Sequence, residues 1–266
     1  MDKELAEIVS PVKSRLHTFT SNKKGDSGTV LIIGGCRYYT GAPYFASLAA
    51  LFTGSELVYI FSEPEAIVSL KTLLPESIVC TIEYQEWLLQ KVTACVVGSG
   101  LGRPSEATCK EIAKILSYLS GKGVPLVVDG DGIRLAERLG VRDFGTVIIT
   151  PNHNEQKHIK KIEKRVFYVQ KGPCDVVLWK DSETRVDIEG CPKRIGGQGD
   201  ILAGTIASLV SKCKAPVAGQ DVFGSVVLGC IMVRRAGRLA YKRHQRSLIT
   251  RDILEELKTI FKSELE

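Results

Sequence analysis

The chain has 266 residues, of which 44% are apolar and only 10 are prolines, so it can bury a substantial core. Lysine and arginine outnumber aspartate and glutamate by 36 to 30, which gives a net charge of +6. This excess suits anionic ligands but lacks the concentrated basic stripe of a nucleic-acid binder, so we expect no nucleic-acid partner. One domain is as plausible as two at this length. We favour a single domain over residues 1–266, because no repeat, low-complexity tract or linker divides the chain.

The eight cysteines are scattered singly, without close pairs at metal-ligand spacing and without a dense disulfide pattern. The first ten residues carry Asp2, Glu4 and Glu7 and lack the apolar stretch of a signal sequence. No run approaches the roughly 18 apolar residues of a membrane span. We therefore expect reduced thiols, no membrane partner and a cytoplasmic protein. The sequence leaves both a monomer and a homo-oligomer open.

Short β-rich runs alternate with helical patterns from Thr29 onward. This alternation predicts parallel strands joined by crossover helices, and the nearly continuous apolar character of several runs indicates strands covered on both faces. The predicted strands are 29–33, 56–61, 77–82, 94–98, 125–130 and 146–150, with helices over 46–52 and 65–73. The simplest architecture is a three-layer α/β/α sandwich with a mostly parallel central sheet.

The pattern changes after Pro151. We predict a polar helix over 155–165, then a strand in FYVQKG and a small antiparallel hairpin in DVVLWK and ETRVDIEG. The last third of the chain is helical, with Thr250 expected to cap a closing amphipathic helix.

Ligands of open α/β sheets bind beyond the carboxyl ends of the strands, so we expect the chemistry in the loops that follow them. The first such loop, GGCRYYTGAP, carries Tyr38 and Tyr39, whose flat rings could face a ligand ring, and Thr40, which could cap the next helix. The second, GSGLGR, has G-x-G-x-G spacing rather than the G-x-G-x-x-G of a dinucleotide fingerprint. Its glycines either admit a ligand close to the main chain or form a tight turn before a helix capped by Ser105.

Polar residues also follow the next strands. Asp129 either contributes to a site or braces its loop, and Asp131 follows it closely. In TPNHNE, the side chains of Asn152, Asn154 and Glu155 suit a polar ligand or a hydrated metal ion, or they cap a solvated loop.

Two further residue types are less specific. Lys171, in VQKGPCD, either reaches phosphate groups or is an exposed strand-end lysine. The four histidines, His17, His153, His158 and His244, have no zinc spacing.

The strongest feature is RIGGQGDILAGTIASLV, in which a glycine-rich turn leads directly into an apolar helix. The N-H groups and positive dipole of such a helix start bind phosphate. A carboxylate there, Asp200, would repel phosphate but suits a base that takes a proton from an attacking hydroxyl. Phosphoryl transfer needs this combination. The alternative is that Asp200 only caps the helix.

Taken together, these segments resemble the ATP-dependent NAD(P)H-hydrate dehydratases of the ribokinase-like superfamily. The resemblance runs from about Lys24 to Val210. It rests on the ordered motifs KGDSGTVLIIGG with YTGAPYFA, VVGSGLGR, VVDGDG, TPNHNE, VQKGPCD and GGQGDILAG. It implies a hydro-lyase that repairs the S-epimer of hydrated NADH or NADPH: ATP phosphorylates the C6 hydroxyl, with Asp200 as the base, and phosphate is then eliminated.

The resemblance also implies the binding residues. The hydrated dinucleotide would contact Gly100, Asn152, His153, Asn154, Glu155, Gln156, Lys157, His158 and Asp200. ATP would be held by Lys171, Gly172, Pro173, Cys174, Asp175, Gly190, Cys191, Pro192, Lys193, Arg194, Ile195, Gly196, Gly197, Gln198 and Gly199. Mg²⁺ would bridge the ATP phosphates, and its direct protein ligands are unassigned.

The chain departs from the family pattern on the substrate side. Gln156 stands where an aromatic residue is usual, Gly130 stands where alanine is usual, and the connection between Glu155 and Lys171 is short. Three other functions remain open: a ribokinase-like kinase of a small alcohol or vitamin precursor, a catalytically inactive nucleotide-binding protein, and a nicotinamide-dependent oxidoreductase.

Overall fold

The computed structural model describes residues 3–17, 27–136, 138–139, 141, 144–159, 166–213 and 218–265, apart from the side chains of His17 and His158. The motif residues Lys24, Gly25 and Asp26 lie outside these ranges, as do residues 160–165 of the predicted polar helix.

Nine strands form one sheet in the described part of the chain, in the order β3-β2-β1-β4-β5-β6-β7-β8-β9. The strands are β1 (Thr29–Ile33), β2 (Leu57–Ser62), β3 (Ile78–Thr81), β4 (Ala94–Val97), β5 (Leu126–Val128), β6 (Val147–Ile149), β7 (Val166–Gln170), β8 (Asp175–Trp179) and β9 (Ser182–Val186). The first seven pair in parallel, whereas β8 and β9 are antiparallel. The predicted mostly parallel sheet and its antiparallel hairpin are confirmed.

The helices are α1 (Lys3–His17), α2 (Gly41–Phe52), α3 (Pro64–Leu73), α4 (Glu86–Leu89), α5 (Glu106–Gly121), α6 (Asp131–Leu135), α7 (Gln198–Val210), α8 (Gly219–His244) and α9 (Thr250–Leu265). The polar helix predicted over 155–165 is wrong within the described residues. Only a 3-10 turn, Glu155–His158, forms there, because the backbone is extended again at Ile159. Among the described residues, no helix combines the length and apolar character needed to cross a bilayer.

Helices cover both faces of the sheet. Val30 and Ile32 of β1 point into one apolar core, with α1, α2, α3, α7, α8 and α9. Leu31 and Ile33 point into a second core, with α4, α5 and α6. Because side chains alternate along a strand, an uninterrupted apolar run such as TVLII fills both cores at once. This is the expected three-layer α/β/α arrangement.

The strand order contains one switch point. The chain moves from β1 to β2 and β3 on one side, and then returns to place β4 on the other side of β1. The helices that follow β1 and β4 lie on opposite faces, since α2 packs in the first core and α5 in the second. A crevice therefore opens beyond the carboxyl ends of β1 and β4, where ligands of such sheets bind.

The position of α7 is set by its close approach to α2. A Cβ atom built on Gly204 would lie 2.0 Å from the carbonyl oxygen of Ala46, so the two backbones meet without a side chain between them. All residues from Ile201 to Val210 are buried. The start of α7 is therefore held at one place above the sheet.

We predict that Gly204→Ala destabilises the fold, because the added methyl group meets backbone rather than a mobile side chain. We expect a loss of about 1–3 kcal/mol in the free energy of unfolding, measured by urea denaturation. Gly121→Ala at the end of α5 is the matched control, since its added Cβ would meet no described atom within 4 Å. It should be neutral or stabilise by up to about 1 kcal/mol. Equal effects of the two substitutions would contradict the proposed close packing.

Candidate active site

The glycine-rich turn forms the start of α7. Gly197 caps the helix with a φ of 94°, and a Cβ atom there would lie 2.6 Å from the ring of Phe45. Thr250 is the first residue of α9 rather than its cap, and its hydroxyl donates to the carbonyl of Gly196. Asp200 lies in the first turn of the helix. The alternative that Asp200 serves as the helix cap is therefore wrong, because Gly197 holds that position.

Asp200 is partly buried, and burial is the main reason that its pKa rises from 3.8 to about 7. The neighbouring carboxylate of Asp129 raises the pKa further, whereas the Ser99 hydroxyl and the Lys171 ammonium oppose it. A carboxylate with a pKa near neutrality can accept a proton far more readily than an ordinary surface aspartate.

Lys171 and Asp129 form an ion pair beneath this helix start. The Nζ atom of Lys171 lies 2.7 Å from Oδ1 of Asp129, which also accepts a 2.7 Å hydrogen bond from the Thr150 hydroxyl. Burial alone would lower the pKa of Lys171, but the carboxylates of Asp129, Glu155 and Asp200 outweigh it and the pKa is raised. Lys171 is thus a charged, largely enclosed residue and not an exposed strand-end lysine.

Gly199 allows the ion pair to sit directly against α7. A Cβ atom at this position would lie 3.0 Å from Nζ of Lys171 and 3.7 Å from Oδ2 of Asp129. Asp129 therefore braces its loop through Thr150 and also lies beside Asp200, so the bracing role and a place in the site are compatible.

The TPNHNE segment forms a self-contained turn. Glu155 accepts hydrogen bonds from the main-chain N-H of Asn152 at 2.8 Å and from its side-chain amide at 2.6 Å. In return, Oδ1 of Asn152 accepts from the N-H groups of Asn154 and Glu155. This reciprocal pattern corresponds to a capping box. Asn152 and Glu155 therefore cap their own loop.

The other predicted substrate residues of this segment differ in exposure. His153, Asn154 and Lys157 are exposed, and Gln156 is partly buried. The side chain of His158 is not among those that the structure describes. Within the described ranges, no group of three or more His, Cys, Asp or Glu residues is arranged to hold a metal ion.

The GSGLGR loop lies next to the loop that follows β1. A Cβ atom at Gly100, where φ is 64°, would lie 2.9 Å from Cβ of Tyr39. Asp131 accepts a 2.6 Å hydrogen bond from the N-H of Gly102, and Ser105 caps α5 as predicted. Asp131 therefore braces this loop, whereas Thr40 makes no side-chain capping bond to the described start of α2.

Arg234 joins two of the predicted nucleotide-binding loops, although nothing in the motif pattern pointed to it. This buried side chain of α8 pairs with Asp175 at 3.1 Å, and it donates to the carbonyls of Pro173 and Ile188. Gly190 packs against the same side chain. The sequence feature that could have identified Arg234 is its charge within the apolar pattern of α8. A guanidinium buried on that face requires a partner.

The remaining residues of the predicted nucleotide-binding loops are placed as follows. In the first segment, the N-H of Gly172 donates to Asp175, and Cys174 accepts from Arg185. In the second, Cys191 packs against Gly237, Ile195 packs against the first core, and Gln198 begins α7, whereas Pro192 and Arg194 are exposed. Lys193 donates to the carbonyls of Arg246 and Leu248. Lys193 therefore secures its own segment to the chain before α9.

The structure thus brings together an anion-binding helix start, an enclosed lysine and a carboxylate whose pKa is near 7. The helix start and Lys171 favour a transferring phosphoryl group, and Asp200 can receive the proton of an attacking hydroxyl. This arrangement suits phosphoryl transfer to an alcohol.

Comparison with known proteins agrees with this geometry. Residues 30–259 match the family model described as NAD(P)H-hydrate dehydratase. The chain is 31% identical to the ATP-dependent (S)-NAD(P)H-hydrate dehydratase of Ixodes scapularis, over 97% of this chain and 93% of the relative. It is 30% identical to the enzyme of the same name from Bos taurus, over 98% of this chain and 90% of the relative.

Solved structures share the fold. A hypothetical protein from Streptococcus mutans superposes with a TM-score of 0.81 at 21% identity, covering 100% of this chain and 99% of the other. The ADP/ATP-dependent NAD(P)H-hydrate dehydratase from Bacillus subtilis, co-crystallised with ATP/Mg²⁺, superposes with a TM-score of 0.73 at 19% identity over 96% of both chains. From the family match and its extent, this chain belongs to the NAD(P)H-hydrate dehydratase family.

Proposed function

We propose that the protein dehydrates the S-epimer of hydrated NADH or NADPH in an ATP-dependent reaction that restores the dihydronicotinamide. The observation that carries this proposal is the position of Asp200, in the first turn of α7 beside Lys171, with its pKa raised to about 7. The names of the relatives supply the substrate class.

The reaction has two chemical steps. Asp200 takes the proton of the C6 hydroxyl while the hydroxyl oxygen attacks the γ-phosphorus of ATP. The bond from the γ-phosphorus to ADP breaks, and ADP leaves. The ring nitrogen then supplies an electron pair, the bond from C6 to the phosphorylated oxygen breaks, and a proton is lost from C5. The products are inorganic phosphate and the ring with its C5–C6 double bond restored.

The chain's own groups stabilise the transferring phosphoryl group. The main-chain N-H groups of the turn from Gly197 to Gly199 carry the positive end of the α7 dipole, and Lys171 adds a full charge from below. We place ATP along 171–175 and 190–199, two segments that Arg234 holds together. We place the hydrated dinucleotide between Gly100 and the turn 152–158.

Mg²⁺ is proposed as the accompanying ion, as suggested by the Bacillus subtilis relative co-crystallised with ATP/Mg²⁺. Lys171 and Thr150 both bind Oδ1 of Asp129, which leaves Oδ2 directed at Gly199. One carboxylate oxygen together with phosphate oxygens and water is a common Mg²⁺ environment, so Asp129 is the residue that fits. The bound ion would neutralise phosphate charge.

We also propose that residues 1–266 form one ribokinase-like domain, since the described strands share one sheet. All eight cysteines are free thiols, which supports our proposal of the reducing cytoplasm as the compartment.

The direct test is to incubate the purified protein with hydrated NADH, ATP and Mg²⁺ and to follow the return of dihydronicotinamide absorbance. We predict that Asp200→Asn lowers this turnover by about 10²–10⁴-fold, because the base is lost while ATP still binds. Asp181→Asn, an exposed change in the turn between β8 and β9, is the control and should retain activity.

Three outcomes would overturn the proposal. A stable phosphorylated product without restored absorbance would indicate a kinase. Unchanged turnover in Asp200→Asn would remove its role as base. Hydride transfer from added NADH would favour an oxidoreductase.

The rate should depend on pH through Asp200. Only the ionised carboxylate accepts a proton, so kcat/KM is expected to rise with pH through about 7, where the pKa of Asp200 lies. Asp129→Asn removes a negative charge that raises this pKa, so the acidic limb of the profile should move to lower pH. A limb that stays in place or moves upward would exclude Asp200 as the titrating group.

Arg234→Lys is predicted to weaken ATP binding, because a lysine cannot reproduce the forked contacts to Asp175 and two carbonyl groups. We expect a rise of about tenfold in the KM for ATP and little change in the KM for hydrated NADH. Arg235→Lys is the matched control, since the neighbouring Arg235 pairs instead with Glu264 in α9. A uniform loss of activity in both variants would indicate a purely structural effect.

A further inference from the structure

The loop that follows β1 presents two aromatic side chains at the switch point of the sheet. Tyr39 and Tyr38 are 53% and 78% exposed, and both lie in the loop that follows β1, a strand that borders the switch point. Large aromatic rings that are exposed near the place where ligands of such sheets bind are candidates for ligand contacts, because a bound ligand would remove their apolar faces from water.

The main chain holds this loop firmly. Cys36 and Tyr39 exchange two backbone hydrogen bonds of 3.0 and 3.1 Å, which close a tight turn around Arg37 and Tyr38. The N-H of Gly35 donates to the carbonyl of Ser99 at 3.0 Å, so the turn is tied to the loop after β4. These bonds hold the main chain of Tyr39 in place before a ligand arrives.

Two neighbouring residues, Gly100 and Ser99, link Tyr39 to Asp200. The Cβ atom of Tyr39 lies beside Gly100, where there is no room for a side chain. The hydroxyl of the preceding residue, Ser99, lies near enough to Asp200 to lower its pKa. Tyr39 thus adjoins Gly100, Gly100 follows Ser99 in the chain, and Ser99 lies near Asp200.

We propose that the ring of Tyr39 is the wall against which the hydrated nicotinamide ring lies when its C6 hydroxyl faces Asp200. This inference rests on the proposed function and assigns a specificity residue to it. A tyrosine ring offers a broad apolar face to the saturated ring carbons, with few rotatable bonds to order on binding.

Tyr38 has a different position. It lies at the tip of the turn, more exposed than Tyr39, and the Arg37 guanidinium lies 5.8 Å from the centre of its ring. Its ring lies edge to face with that of Tyr39, with the two centroids 6.4 Å apart. Because Tyr38 is not among the atoms nearest to Gly100, its replacement is the matched control on the same turn.

The test compares Tyr39→Ala, Tyr39→Phe and Tyr38→Ala with the unmodified protein in the coupled ATP assay. Tyr39→Ala should raise the KM for hydrated NADH by about tenfold, as expected for the loss of one ring contact, and change the KM for ATP by less than about twofold. The inhibition constant of the product NADH should rise in parallel. Tyr39→Phe keeps the ring and should retain the KM, and Tyr38→Ala should change it by less than about threefold.

The outcomes separate the two proposals. If the unmodified protein does not restore NADH, the proposed function fails and the role of Tyr39 falls with it. If that protein is active but Tyr39→Ala keeps its KM for hydrated NADH, the inference alone is overturned. A parallel rise in both KM values, or a fall in melting temperature with kcat loss in Tyr39→Ala and Tyr39→Phe alike, would assign Tyr39 a structural role and also overturn it.

Discussion

The ion pair between Lys171 and Asp129 is the interaction on which the candidate site depends. It joins the end of β7 to the end of β5, while Thr150, at the end of β6 between them, binds the same carboxylate oxygen. Without Asp129, an ammonium group enclosed under α7 would have lost its hydration without full compensation. The pair therefore fixes a positive charge where a phosphoryl group would need it.

The same pair shapes the chemistry of Asp200. Asp129 raises the pKa of Asp200 and Lys171 lowers it, while burial provides the largest contribution upward. These opposing effects leave a carboxylate with a pKa of about 7 next to a positive helix start. An ionised carboxylate would otherwise repel the phosphoryl group that the helix start binds. With its pKa near 7, Asp200 can act as the base in the same turn of α7 as the anion site.

The departures of this chain from its family pattern concern the substrate wall. Gly130 has a φ of 52°, so the chain uses a backbone conformation there that glycine adopts more easily than alanine. The turn after Pro151 is short, and Asn152 and Glu155 satisfy one another in it. The proposed wall at Tyr39 belongs to the loop after β1, where the motif pattern is intact.

The sequence by itself determined the strands, the hairpin and the glycine-rich start of α7, because apolar runs and glycine turns depend mainly on local conformation and on side-chain alternation. It also placed Asp200 and Lys171 among the candidates, through the order of the motifs. Only the tertiary structure decided that Lys171 is enclosed, that Gly197 caps α7, and that Arg234 joins two loops. Those properties depend on partners that are distant along the chain. Arg234 and Asp175 are far apart in the sequence, and the side chains of Asp129, Lys171 and Ser99 that act on Asp200 come from three different strand ends. No local sequence pattern reveals such contacts.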